Sequence, residues 1–245
     1  CCQNSLIHLN ADHTQIYLSR PIGLIEDLIA RLNEDLTRIS NWSKSNNLKL
    51  NESKTKAIAI SHSKYDLNSL PPILLNEVNI NFDDIVTNLG FRINSRLSCV
   101  DHVNFVVNKV YNILRKLYCT AYLLPRQTKL KLVRSLIVPH VSYAELVYCR
   151  LDNNSKQKLQ TALNNAARFV FEKRKYDHIS IYSKQILDHN LDSYLKIRSL
   201  LFLHKLIYTQ KPLYLYKNIK QCQCTRTLNL IVPTYTYLES ERMFF

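Results

Sequence analysis

The run Leu6-Ile7-His8-Leu9-Asn10-Ala11-Asp12-His13-Thr14-Gln15-Ile16-Tyr17-Leu18-Ser19 places two apolar stretches around a short polar turn. That pattern predicts a β-hairpin with Asp12 at its tip. Taken alone, an Asp in such a turn is accounted for by hydrogen bonding to its own backbone. Downstream, Ile25, Leu28, Ile29, Leu32, Leu36 and Ile39 recur at intervals of three and four, one face of a helix, with Pro21 and Glu26-Asp27 suited to its start. This helix is expected to cover a sheet built from the opening hairpin, residues 56–61, 73–75 and 78–82, and Gly90 to Ile93. Asn76-Glu77 offers a two-residue turn within it. Trp42, three residues after Ile39, is expected to pack into the same core.

Beyond residue 100 the pattern turns helical. Val103, Val106, Val107, Val110, Ile113, Leu114 and Leu117 mark one helix, and further helical stretches are read at 127–138, 140–149, 154–172, 178–187 and 191–209. Pro139 should kink or break the run it interrupts. The expected fold class is therefore α+β: a small antiparallel sheet with a helix over residues 1–98, a helical region over 99–220, and a tail over 221–245. Only two glycines occur, at 23 and 90, which leaves few low-cost positions for left-handed backbone and suits a mostly helical chain. Gly90 reads as a tight turn or bulge.

Composition narrows the function classes. With 245 residues and 46% hydrophobic content the chain can bury a core, which excludes a disordered tail. It shows no apolar run of spanning length and no basic-then-apolar leader, so the expectation is an intracellular protein without membrane attachment. Seven cysteines at 1, 2, 99, 119, 149, 222 and 224 follow no repeated spacing and read as free thiols. Cys222 and Cys224 have no later His or Cys to complete a zinc site. Charge is unevenly placed. Residues 1–100 carry 10 Lys or Arg against 10 Asp or Glu, residues 101–175 carry 14 against 4, and residues 176–245 carry 9 against 5. The net +14 thus divides as 0, +10 and +4, and a surplus gathered in one helical third is the footprint of a polyanion binder.

The opening hairpin resembles the Tyr-Ala-Asp-Asp-Thr box of non-LTR retrotransposon reverse transcriptases, especially the jockey-like elements of insects. Asn10 stands where that family has Tyr, and His13 where it has the second Asp. Other segments follow in the family's order. Asn41-Trp42, Leu50-Asn51, Lys54-Thr55 and residues 57–60 are similar to the next palm motif. Asn88-Leu89-Gly90-Phe91-Arg92-Ile93-Asn94, Leu97-Ser98 and Asp101-His102-Val103 resemble the primer-grip hairpin and the start of the thumb. Pro139, Tyr143, Glu145, Leu159-Gln160, Asn164 and Arg168 continue the series, which spans roughly residues 5 to 210.

The resemblance implies a partial palm over residues 1–98 and a helical thumb over 99–220. Nucleotide addition by the two-metal route needs carboxylates holding two Mg2+ ions. Mg2+ prefers hard oxygen ligands, so Asp12 suits it and a His13 imidazole does not. Asp12 is then one vestigial Mg2+ ligand. The family's other palm Asp and its nucleotide-gripping fingers lie upstream of the hairpin, and only eleven residues precede Asp12; with Cys1 and not Met at the start, the chain is expected to be part of a longer product. Lys54 or Lys56 lies where the family has a Lys thought to protonate pyrophosphate, although a Lys beside an edge strand also serves as a guard against edge pairing. The primer grip implicates Gly90 and Phe91. The thumb implicates Lys129, Lys131, Arg134, Lys156, Lys158, Lys173, Arg174 and Lys175 in contacts to RNA, DNA or an RNA–DNA duplex.

Three functional readings stand on the sequence. One is a retrotransposon-derived RNA-directed DNA polymerase fragment that binds nucleic acid without polymerising. Another is the C-terminal part of a working reverse transcriptase completed upstream. The last is a domesticated helical module for a protein partner. No small-molecule substrate and no retained cofactor are expected, Mg2+ belonging to the ancestral activity.

Overall fold

The computed structural model describes residues 2–61, 70–222, 229–231 and 242–244. The fold class is α+β, and the chain divides into two compact units: Cys1–Ser98 with Thr234–Phe245, and Cys99–Pro233.

In the first unit, β1 (Leu6–Asn10) and β2 (His13–Tyr17) pair antiparallel, with Asn10 opposite His13 and Leu6 opposite Tyr17. Ala11-Asp12 makes the two-residue turn, and Ala11 takes the left-handed φ of 53° that such turns demand. Next come β3 (Ser19–Pro21), a short 3-10 turn, and α1 (Ile25–Ser45) with Glu26 and Asp27 in its first turn. The stripe Ile25, Leu28, Ile29, Leu32 and Leu36 is buried as its spacing predicts. It packs with Leu18 against Ile73, Leu75 and Ile80 of a second hairpin, β4 (Ile73–Leu75) and β5 (Val78–Ile80). Asn76 and Glu77 form the turn between them, both with positive φ, 49° and 68°. The Asn33 side chain grips β4 from the helix: its Nδ2 donates to Pro72 O at 2.9 Å and its Oδ1 accepts from Leu74 N at 2.9 Å. It thereby satisfies an edge strand as a neighbouring strand would.

β6 (Ile85–Asn88) and β7 (Phe91–Asn94) form a third hairpin around Leu89-Gly90, at φ 47° and 83°. Gly90 is thus a turn residue, and β7 has a partner, residues 85–88, that the sequence pattern missed.

The expected single sheet is not formed. The described strands make separate two-stranded pairs, and α1 covers chiefly the β4–β5 hairpin. Residues 56–61 form no strand; Ala57 makes an isolated parallel bridge to Phe82, fastened by Asp83 N to Ala57 O at 2.9 Å. Two of residues 57–60 are Ala, too small to supply the side-chain packing that sustains a ladder. The β1–β2 hairpin stays largely in solvent, with Leu6 76% and Leu9 67% exposed. Trp42 also departs from expectation, 48% exposed, because Ser40 and Ser43 occupy the buried side of that last stretch of α1.

The second unit is helical. α2 (Val100–Tyr118) is followed by α3 (Arg126–Leu136) and α4 (Val138–Ser142), where Pro139 sits in the first turn of a new helix and so ends the preceding one. α5 (Asn153–Phe171) starts on Asp152, whose carboxylate accepts Ser155 N at 3.1 Å. α6 (Ser180–Leu187), α7 (Leu191–Thr209) and α8 (Leu213–Tyr216) follow. α2 packs on α5 through Val103, Val106, Val110 and Leu114, opposite a face rich in Ala162, Ala166 and Ala167 that allows close approach. Within the region read as a tail, β8 (Lys220–Cys222) pairs with β9 (Asn229–Ile231), and β10 (Arg242–Phe244) pairs with β3 of the first unit.

The shortage of glycine does not keep the chain from left-handed backbone. Among the described residues ten non-glycine positions have positive φ, including the αL residues that end α5 and α7, Glu172 at 54° and Gln210 at 56°. Turn geometry imposed by packing overrides the modest local cost at each.

Candidate nucleic-acid interface

Asp12 lies at the tip of the β1–β2 hairpin with its side chain 90% exposed, and the His13 Nε2 is 4.0 Å from its carboxylate. Two strands joined by a two-residue turn present those side chains to solvent and nothing more. Among the described residues no three His, Cys, Asp or Glu side chains come together as metal ligands. Asp12 and His13 thus form a single carboxylate–imidazole pair. Lys54 is exposed in a short 3-10 turn, Glu52–Lys54, whose start is capped by Asn51 Oδ1 accepting Lys54 N at 3.1 Å. Its neighbour Lys56 pairs with Asp83 at 2.6 Å and pins residue 57 beside Phe82. Gly90 is exposed at the tip of the β6–β7 hairpin, and Phe91, directly after it, is half-buried. Gln15 Nε2 donates to Asn88 Oδ1 at 2.6 Å, so the first hairpin and the turn carrying Gly90 lie side by side.

The eight cations singled out in the second unit fall into four situations. Lys131, Arg174 and Lys175 are in solvent. Arg134 is exposed but engaged, its guanidinium donating to Asp188 Oδ1 at 2.9 Å and Gln185 O at 2.7 Å. Lys156, Lys158 and Lys173 are half-buried; Lys156 faces Asp192 at 3.4 Å, Lys158 donates to Asn104 Oδ1 at 2.9 Å, and Lys173 Nζ lies 5.0 Å from the Tyr182 ring centre. Exposed ion pairs of this kind exchange readily for a phosphate because each is worth only about 0–1 kcal/mol. Lys129 does not belong with the surface set. It is 3% exposed, its Nζ bonded to Glu172 at 2.5 Å and 5.8 Å from the Phe169 ring centre. Three and four residues separate it from Arg126 and Val133, and α3 turns its Lys129–Val133 side inward.

Two polar clusters carry more structural weight than sequence reasoning assigned them. Asp35, fully buried on α1, accepts Gln3 N at 3.0 Å, Asn4 N at 3.0 Å, Ser5 N at 2.8 Å and Ser5 Oγ at 2.5 Å, and pairs with Arg38 at 2.8 Å. Burial pushes its pKa up, but the hydrogen bonds from Gln3, Ser5 and Asn4 outweigh it and bring the pKa down to about 2. The carboxylate thereby sets where β1 begins. Glu145, buried in the second unit, accepts the Tyr194 hydroxyl at 2.7 Å and the Arg198 Nε. Burial, then the bond to Glu145, raises the Tyr194 pKa to about 12. Glu145 was legible as part of an ordered series of residues; its role as the post that ties α7 to residues 145–150 was not. The Cys222-Gln223-Cys224 stretch lies outside the residues whose side chains are described.

Searches of family models, curated proteins and solved structures return no match to this chain. Among the described residues no helix is long and apolar enough to cross a membrane.

Proposed function

We propose that this chain is a remnant of a retrotransposon reverse transcriptase, with part of the palm and a thumb, and that the 245-residue chain binds nucleic acid duplex without polymerising. The observation that carries the binding half is the net +10 over residues 101–175, displayed on a helical unit with Lys131, Arg174 and Lys175 in solvent and Lys156, Lys158 and Lys173 half-exposed. The loss of polymerisation rests on the hairpin tip. An imidazole is a weak Mg2+ ligand, and Asp12 alone supplies too few carboxylate oxygens to hold two ions. Both halves agree with the ordered motif series from Asp12 to Arg168.

Affinity for an RNA–DNA duplex, measured against salt, tests the first half. Each phosphate neutralised contributes a slope of about −0.9 in log K against log salt for B-form duplex, so engagement of three to five of these cations gives roughly −2.7 to −4.5. A flat response, or no binding at low salt, refutes it. Primer extension by the same chain with Mg2+ should yield no product, and robust synthesis refutes the second half in favour of a working polymerase. A second reading, a helical module for a protein partner, draws on the exposed Leu200, Leu201, Tyr208, Leu213 and Tyr214 along α7 and α8. A salt-independent complex with no nucleic acid affinity favours it.

A further inference from the structure

In the second unit, a cleft of about 300 Å³ opens where the ends of α2 and α5 meet the start of α3. Its lining includes two tyrosines: Tyr118 at the end of α2, set edge-on to Phe169 at 5.1 Å and 79°, and Tyr122, which is 84% exposed. The lining also carries Arg168, Lys173 and the buried Lys129, with a single carboxylate, Glu172. Arg168 is held in place by Asn165 Oδ1 and Arg174 O, both at 3.3 Å. Its charge reaches the Tyr118 hydroxyl, whose pKa burial raises and Arg168 pulls partly back. The strip continues along Lys173 over Tyr182, Tyr182 against Phe171 at 4.8 Å, and Arg126 over Phe171 at 4.3 Å.

We propose that this cleft seats a nucleotide of a single-stranded nucleic acid, its base stacked on Tyr122 and its phosphate facing Arg168 and Lys173. An exposed aromatic ring beside surplus cations suits an unpaired base, because both faces of a paired base are occupied by the stack. The C-terminal end of α5 discourages an anion, so the site depends on Arg168 and Lys173, Glu172 being already paired with Lys129. The inference rests on the reading that this unit binds nucleic acid, and it adds a single-strand site to the duplex surface.

The test uses the full chain with an oligo-dT single strand and, separately, a blunt RNA–DNA duplex. Tyr122→Ala should weaken oligo-dT binding roughly tenfold, the order of one lost base–aromatic stack, while duplex affinity stays within about twofold. Tyr122→Phe, which keeps the ring, should bind oligo-dT as the native chain does. Lys173→Gln should lower the oligo-dT salt slope by about 1 or less, as loss of one phosphate contact does. If the native chain binds oligo-dT and Tyr122→Ala binds it equally well, the cleft assignment is overturned and the nucleic-acid reading survives. If the native chain binds neither probe at low salt, both fall. Equal displacement of oligo-dT by polyglutamate from the native chain and from Tyr122→Ala would show a charge effect alone and also overturn the site.

Discussion

Replacing Asp35 by Asn should destabilise the first unit by about 2–3 kcal/mol at neutral pH, a figure that follows from the carboxylate's proton affinity. Its pKa falls from an ordinary 3.8 to about 2 on folding. That difference corresponds to about 2–3 kcal/mol favouring the ionised form in the native state. The side chain is fully buried, so solvent screening does not erode this figure much. The carboxamide introduced by Asp35→Asn would retain the shape but lose the charge, and its NH2 group would face backbone N–H groups that need an acceptor. Because the folded pKa lies below the unfolded one, Asp35 contributes fully above about pH 4, and the contribution is lost as pH falls through about 2. The gap between native chain and variant should therefore be widest at about pH 7 and close near pH 2. Trp42, the only tryptophan, sits on α1 in the same unit, so its fluorescence in urea reports this unit alone. With a urea dependence of about 1–3 kcal/mol per molar, the midpoint should drop by roughly 1–2 M. An unchanged midpoint at neutral pH, or a deficit that persists undiminished near pH 2, would refute the assignment of Asp35 as the ionised anchor of Gln3–Ser5.

Two further outcomes follow from the same geometry. Leu89→Asn creates the Asn-Gly pair favoured where both turn residues have positive φ, and it removes an exposed leucine, so it should raise the urea midpoint of the first unit by an amount equivalent to about 0.5–1 kcal/mol; a lowered midpoint contradicts the turn assignment. Lys129→Met should leave duplex affinity and its salt slope within about twofold, and thermal stability within about 1 kcal/mol, since the partner left behind, Glu172, is 73% exposed and keeps its hydration; a slope reduced by one phosphate would return Lys129 to the binding surface.

Much of the local structure is readable from periodicity and turn chemistry alone. The stripe from Ile25 to Leu36 and that from Val103 to Leu114 are buried as spaced, Pro139 divides α3 from α4, and Asn76-Glu77 makes the predicted turn. Each depends on contacts within a few residues, where side-chain spacing and backbone geometry act directly. Trp42 and residues 56–61 depart from the pattern because their fates depend on which neighbours fill the space around them. Ser40 and Ser43 displace the indole, and small Ala residues leave a bridge where a strand was expected.

The candidate site divides along the same line. Sequence by itself determined the identity of the hairpin tip, Asn10-Ala11-Asp12-His13, and the concentration of positive charge between residues 101 and 175, because composition and order are properties of the chain. Only the tertiary structure decided which cations face solvent, that Lys129 is held by Glu172 beside Phe169, that Asp35 anchors a segment some thirty residues away, and that Tyr122 stands open beside Arg168 and Lys173. The reason is physical: burial, pairing and desolvation are set by partners distant in sequence, and a Lys or an Asp carries no local mark of whether such a partner will arrive.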